Sequence, residues 1–596
     1  MIYRARIELI HEKEKLTMET KGLNGADVLL RVLAEMGVDH IFASPGSEWS
    51  PVWEAIARAR GQSEGLPLYL STRHEELAVG MASGYTKLTG KLPAVMIHTT
   101  VGALHATMAM RAALHEQLPM VVLAGESIGF GEDVGPDPGG QWLRSLADVG
   151  GPARLVERCA KWSFGINTKS ILPATIQRAC QIAMASPKGP VFVSVPMEYQ
   201  FEATGDKPLA SAALPQAPSA DPKGIESLAA LLVEASSPVI MSEESGRSAD
   251  IVAATVELAE LIGAPVIESR STGFLNFPRN HPLHGGYNFP EYLKETDLIF
   301  LLGAVAPWHP ASAGPGENVK VAVLDEDPLR NAMPYWGFKS DLCLAGEVES
   351  SLALLLEQVK KRVARDDPRR AQRKATLNRS YQERREAWDK TVLALRDAKP
   401  IDTRWVVYEL NRILPPDAIV VEETITHRLA IHQYLDSVKP GSYFAGSNGG
   451  LGTGLGTALG VKAAAPKRPV LCLIGDGAFN YDPGLPALGC AQELGLPILI
   501  VIFNNLGYLS MKTGVPKYYP DGWATRTNTF VGTTIAPSPD YATIARAFDG
   551  YGEKVEEPGE VSAALQRGLR AVAQGQVALL DIRLAPVSET MERPDR

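Results

Sequence analysis

The stretch VLCLIGDGAFNY, residues 470–481, runs from apolar strand-like residues straight into an aspartate held between two glycines. A surface turn would account for it. Downstream, ILIVIFNNLGY (498–508) repeats the design, an apolar run that stops abruptly at amides and a glycine. Short apolar runs bounded by such residues read as buried strands of a parallel sheet. An acid and an amide oxygen at the ends of neighbouring strands suit a hard cation such as Mg²⁺, which takes oxygen ligands and shares them with a bound phosphate. Gly475 and Gly477 would let the backbone approach a diphosphate, and a following helix amino terminus would help neutralise it. Ligands at strand carboxyl ends agree with the usual place of α/β binding sites. GDG alone is a weak signal, but GDG followed by a second buried strand ending in NN is far more specific.

Outward from this pair, the chain alternates strand-like runs with helical patterns in three segments, which predicts an α/β fold of parallel sheets. The first segment holds HIFASPG, PAVMIHTTVG, MVVLAGES and VFVSVP as strand-like runs, with ADVLLRVLAEMG as a helix. An Ala-, Pro- and Ser-rich stretch after it reads as a linker. The second holds SPVIMSEES, APVIESRS, DLIFLLGA and VKVAVLDED. The charged stretch 362–390 follows; its interleaved acids and helical spacing predict a solvated connecting helix rather than a nucleic-acid-binding element. The third segment carries the two opening stretches.

A chain of 596 residues is too long for one core. Its 59 basic and 68 acidic residues make it mildly acidic, so nothing draws it to nucleic acid or to an anionic membrane. Five scattered cysteines with no CxxC spacing fit a reducing compartment and buried thiols. The amino terminus lacks the apolar core of a signal peptide, and no run of about 18 apolar residues occurs. A cytoplasmic protein is expected.

The GDG and NN pair is similar to the thiamine-diphosphate-binding motif. The chain resembles the thiamine-diphosphate-dependent decarboxylase and acetolactate synthase superfamily, and its motifs are most similar to those of benzoylformate decarboxylases. The resemblance covers nearly everything after residue 20. It implies three parallel-sheet α/β domains: pyrimidine-binding (21–200), central and Rossmann-like (223–360), and diphosphate-binding (399–590). An extension (1–20), a linker (201–222) and a connecting helical segment (361–398) complete the chain. Carried over, the motif makes Asp476, Asn505 and the backbone carbonyl of Gly507 metal ligands. It places Gly475, Gly477, Ala478, Tyr508 and Met511 at the cofactor.

A second, independent match lies in STRHEELAVGMASGYTKLTG (71–90). It implies that Glu75 hydrogen-bonds the cofactor's pyrimidine ring, which in turn removes the thiazolium C2 proton. Glu76 beside it reads as an exposed helix residue. SNGGLGTGLG (447–456) implies that Leu451, with Gly450 before it, supports the cofactor in a bent shape. EETITHR (422–428) gives Glu423 and Thr424 as further cofactor contacts.

On the substrate side, IFASPGSEWSP (41–51) resembles the benzoylformate decarboxylase loop and gives Ser47. PAVMIHTTVGALH (93–105) gives His98, and LLGAVAPWHP (301–310) gives His309 with spacing one residue different. His40, His74, His105 and His115 read as structural histidines. Three features depart from the relatives. Met511 stands where the pyruvate decarboxylase branch has a glutamate, TTVG replaces the GPG of acetolactate synthases, and an insertion spans 131–146. Trp142 in it either lines the pocket or simply packs.

The resemblance implies a lyase acting on a 2-oxo acid; the alternative is a carboligase of acetolactate synthase type, a transferase forming acyloins or 2-hydroxy-3-oxo acids. Intact Glu75, Asp476 and Asn505 argue against a non-catalytic scaffold. No flavin signature is present, so FAD is not expected. Because the family builds its site from two subunits, at least a homodimer, and a homotetramer by resemblance, is expected.

Overall fold

The two opening stretches fold side by side. Val470–Gly475 (β15) pairs in parallel with Leu499–Asn504 (β16), so that Gly475 lies opposite Phe503 and both runs end at the same edge. The computed structural model to which they belong describes residues 23–62, 65–126, 148–203, 212–269, 272–364, 367–436, 439–446 and 450–588. The extension 1–20, the insertion 131–146 with Trp142, and residues 447–449 lie outside the described residues.

Three six-stranded sheets follow one another, and every pairing within them is parallel. The first contains β1 (His40–Ser44), β2 (Leu68–Ser71), β3 (Ala94–Ile97), β4 (Met120–Glu126), β5 (Trp162–Gly165) and β6 (Pro190–Pro196), in the order 2-1-3-4-6-5. The second contains β7 (Pro238–Ser242), β8 (Val266–Glu268), β9 (His284–Gly286), β10 (Leu298–Leu302), β11 (Lys320–Asp325) and β12 (Leu342–Ala345), in the order 12-11-10-7-8-9. The third adds β13 (Ile419–Glu423), β14 (Tyr443–Ala445), β17 (Tyr551–Val555) and β18 (Ala578–Arg583), in the order 14-13-15-16-18-17. Counted from its own first strand, the third sheet has the same topology as the first. In each, the order reverses between the first and third strands, and ligands of open α/β sheets bind outside the strand ends at such a reversal.

Helices cover the sheets where the sequence gives them caps and an apolar face. Helix α1 (Gly25–Glu35) begins with a reciprocal capping box between Asn24 and Asp27 and buries Val28, Leu29, Val32 and Leu33. Helix α2 (Glu75–Thr89) starts at His74, whose ring accepts the Glu76 N–H, and stops at Gly90 in the left-handed region. Helix α3 is Thr100–His115. The charged stretch forms α4 (Pro368–Leu393), a 26-residue helix whose buried residues are Arg370, Tyr381 and Val392, as its polar pattern predicts.

The first and third sheets are joined through α2 and α5 (Gly454–Ala464), which cross at glycines. A Cβ on Gly84 would stand 2.0 Å from the Thr457 carbonyl oxygen, and one on Gly460 would stand 1.9 Å from that of Met81. One hydrophobic cluster therefore runs through both domains, from Phe42 and Val95 to Ile474 and Ile502. Inside this junction Lys87 pairs with Glu116 at 2.6 Å and donates to the Ala445 carbonyl at 2.9 Å. No helix among the described residues is long and apolar enough to cross a membrane.

Candidate active site

The reversal in the first sheet places Ser44 of β1 opposite Ile97 of β3. The residues just beyond these ends meet. Glu48, in the turn after β1, has both carboxylate oxygens 2.9 Å from Nδ1 of His98 and is 1% exposed. Gly46 makes room for the pair, since a Cβ there would stand 2.1 Å from that nitrogen. Ser47, between Gly46 and Glu48, is exposed and opens the 3-10 turn Ser47–Trp49. Glu75 opens α2 nearby: a Cβ on Gly102 would be 3.1 Å from Cβ of His98 and 3.2 Å from Oε1 of Glu75. The sequence-predicted Ser47, Glu75 and His98 thus share one corner of the N-terminal domain.

Three residues in this corner escaped the sequence reading. Glu48 is the partner of His98. His105 approaches Oε2 of Glu75 with Nδ1 at 3.3 Å, and the His74 ring stacks on it at 5.4 Å. The two histidines read as structural flank the predicted glutamate: His105 stands one helical turn past Gly102, the residue of α3 that abuts Glu75.

The third sheet builds a second cluster at its own reversal. Asp476 opens the short helix α6 (Asp476–Phe479) directly after β15, buried, and its Oδ2 accepts the Gly507 N–H at 3.0 Å. Burial pushes its carboxyl up to about 7, against the N–H groups of Gly477 and Gly507, which favour the charge. Asn505 follows β16 and is 4% exposed; its Oδ1 is buried with no hydrogen-bond partner among the described residues. Its amide nitrogen lies 3.4 Å from Nε2 of His427, whose Nδ1 lies 2.9 Å from Oγ1 of Thr403. An amide nitrogen can only donate here, so Nε2 accepts and Nδ1–H donates to Thr403. This chain fixes which way Asn505 points its oxygen. Gly507 is pinned by a bridge to Thr534, where a Cβ would stand 2.2 Å from the Thr533 carbonyl oxygen.

Three family descriptions match the chain in the order of its sheets. Residues 23–129 match "Thiamine pyrophosphate enzyme, N-terminal TPP binding domain", 225–354 match the central domain, and 425–582 match the C-terminal TPP binding domain. This chain belongs to the thiamine pyrophosphate enzymes. Benzoylformate decarboxylase from Pseudomonas aeruginosa is 27% identical over 91% of this chain and 95% of its own. The acetolactate synthase isozyme 3 large subunit of Escherichia coli is 25% identical over 94% of each. The structure of a thiamine diphosphate-dependent 4-hydroxybenzoylformate decarboxylase from Rhodococcus jostii superposes with a TM-score of 0.76 at 24% identity, covering 96% of this chain and all of that one.

The donors of this thiamine pyrophosphate enzyme fit a divalent cation beside a diphosphate. Asp476 brings a buried carboxylate, Asn505 brings an amide oxygen that no donor among the described residues satisfies, and both adjoin Gly507. Gly475 has no protein atom within 4 Å of its would-be Cβ, whereas Gly477 is needed to seat the Tyr508 ring, 2.7 Å away. Ala478 is buried and Tyr508 half-buried beside them. Leu451 packs on the shared cluster, and Gly450 lies against Met108 of α3, whose Cε a Cβ would meet at 1.6 Å.

The remaining sequence-predicted residues lie around these two clusters or apart from them. Glu423 is buried, and its two oxygens accept the N–H groups of Gly452, Thr453 and Gly454 at 2.9, 3.2 and 3.0 Å. Thr424 is buried, with its backbone N–H and hydroxyl both on Glu422. Both therefore brace the site from within. Met511, on α7 (Leu509–Tyr518), is exposed. His309 is exposed in a loop of the central domain and makes no hydrogen bond among the described residues, so this chain does not gather it with His98. Glu76 is half-buried rather than exposed, facing the Gly452 turn of the C-terminal domain.

Proposed function

We propose that this protein is a thiamine-diphosphate- and Mg²⁺-dependent lyase of the benzoylformate decarboxylase type, cleaving the C–C bond next to the carbonyl of a 2-oxo acid. The observation that carries the reading is the Glu48–His98 pair beside Glu75, a buried carboxylate orienting an imidazole where a substrate would meet the cofactor. When bound, thiamine diphosphate supplies the carbon nucleophile and the electron sink. Asp476, Asn505 and the carbonyl of Gly507 hold the metal that neutralises its diphosphate, and Leu451 supports its rings. Glu75 holds a proton against its pyrimidine nitrogen. Ser47 binds the substrate carboxylate, and His98 moves protons through Nε2, since Glu48 occupies the Nδ1 side.

Two copies build each site. Glu75 and Asp476 sit in separate clusters, and each borders exposed apolar side chains: Val101 and Leu104 by Glu75, Met511, Tyr518, Tyr519, Trp523 and Val531 in the segment after Gly507. Pairing the first surface with the second from another copy covers both and completes the site, bringing His309 in from a partner. A homodimer is the minimum and a homotetramer the expected assembly, in the cytoplasm that the five free cysteines suit. The second reading, an acetolactate synthase-like carboligase, is favoured by Met511, which offers no acid above the site.

A panel of aryl and aliphatic 2-oxo acids, with Mg²⁺ and thiamine diphosphate, decides between them when CO₂, aldehyde and ligated products are measured together. Aldehyde as the main product supports the lyase. Ligated product as the main one replaces it with the carboligase, and no turnover of any 2-oxo acid overturns both.

A further inference from the structure

The four N–H groups of residues 452–455, where the Leu451 turn enters α5, are all taken by two carboxyl groups. Glu423, the last residue of β13, accepts three of them, and Asp482 accepts the fourth, from Leu455, through Oδ1 at 2.9 Å. Both side chains are buried. They bind adjacent N–H groups of one turn and lie close enough to act on each other, while Oδ2 of Asp482 finds no N–H or hydroxyl donor among the described residues. Two carboxyls buried side by side on one turn, with no cation between them, are not both ionised, so one of them carries a proton.

The surroundings oppose a second negative charge. Glu76 of α2 faces the same turn, 3.1 Å from where a Gly452 Cβ would stand, and burial and the Glu423 charge push its carboxyl up to about 7. Glu422 adds a further carboxylate, but Arg428 is bonded to it at 2.8 Å. Lys87, which shares a cavity of about 20 Å³ with Glu423, Thr453 and Gly454, is paired with Glu116. Cys472 of β15 is a buried thiol, raised by burial and then by Asp482 and Glu423. Neither Arg428 nor Lys87 is bonded to the pair among the described residues.

We propose that Glu423 and Asp482 hold one proton between them, and that Asp482 is a positioning residue which ties the Leu451 turn to the segment carrying Asp476. Asp482 lies six residues beyond Asp476, and Glu423 ends the strand on the other side of the reversal, so the shared proton closes a bracket around the two cofactor-binding loops. The part concerning the cofactor rests on the proposed function; the proton itself does not.

Infrared spectroscopy of the full chain tests the proton directly. A protonated-carboxyl band at about pH 8.5, where Glu76 is already ionised, is expected in the parent and lost in Asp482→Asn. The folded state keeps a proton that the unfolded chain releases above the ordinary carboxyl value, so the parent should lose thermal stability relative to Asp482→Asn as pH rises from about 5 to 8. Thiamine diphosphate affinity should stay within about threefold in Asp482→Asn, whose amide replaces the O–H, and fall about tenfold in Asp482→Ala. No band in the parent at about pH 8.5, a result needing no variant, overturns the proposal, as does a band and melting profile unchanged in Asp482→Asn. If the parent binds no thiamine diphosphate, the proposed function fails while the infrared and melting arms still judge the pair.

Discussion

Nδ1 of His98 lies 2.9 Å from each oxygen of Glu48, so the carboxylate sets the orientation of the ring and places the proton of the neutral imidazole on Nδ1. Replacing Glu48 by Gln keeps the shape but removes the charge that stabilises the ring when it takes up a second proton. Turnover of the best 2-oxo acid should fall about 10²-fold, within the range that general acid–base groups contribute. The melting midpoint should change little, because Gln can still accept the Gly46 N–H that Glu48 accepts at 3.2 Å. Full activity in Glu48→Gln would remove the dyad from the mechanism.

Glu75 and His98 are neighbours across Gly102 but should serve different steps. Glu75→Gln should slow exchange of the cofactor C2 proton even without substrate. His98→Ala should leave that exchange nearly intact and reduce turnover by about 10²–10⁴-fold. NMR of C2–H/D exchange, paired with steady-state rates, separates them. Normal turnover by His98→Ala would make the histidine structural.

Much of this architecture is legible in the sequence because inner strands announce themselves. The eight runs read as strands in the first two domains are β1, β3, β4, β6, β7, β8, β10 and β11, all inside their sheets. The edge strands β2, β5, β9 and β12 went unread. LYLS and WSFG are only partly buried, and HGG has no apolar run to recognise. In the site, Asp476 and Asn505 are legible because a strand must end at each. Glu48 and His427 are not, because the partner that gives each its role is 50 and 78 residues away in the chain. The directions of Glu75 and Glu76, one toward His105 and one toward the C-terminal domain, depend on which helix lies across α2.

The crossing of α2 and α5 can be tested by adding one methyl group. Gly460→Ala would drive its Cβ toward the Met81 carbonyl, 1.9 Å away, and backbone cannot retreat as a flexible side chain does. The helices must separate, at a cost of about 1–3 kcal/mol for an overpacked contact. Chemical denaturation should show that loss, whereas Gly575→Asn, at a left-handed surface position with nothing within 4 Å, should cost far less. Equal losses would mean that the glycine crossing does not set the domain junction.

His427 combines a structural role with a pH dependence of definite sign. Burial lowers its pKa to about 4, so the folded chain holds it neutral while the unfolded chain protonates it near the ordinary histidine value of about 6.5. Between these values the unfolded state binds more protons. Stability therefore rises with pH from about 4 to 6.5, and acidification through that window removes on the order of 3 kcal/mol. His427→Gln should flatten this acid limb in urea titrations of the metal-free protein. It should also keep metal binding, because the Gln oxygen can accept the Asn505 amide, whereas His427→Leu, of similar bulk, leaves that amide unheld and frees Asn505 to turn. Calorimetry with Mg²⁺ and thiamine diphosphate should then show His427→Leu binding about tenfold or more weakly, in the range expected when a partner orienting a metal ligand is lost. Equal affinity in the Gln and Leu variants would mean that Asn505 points its oxygen without help from His427, and an acid limb unchanged in His427→Gln would place the titrating group elsewhere.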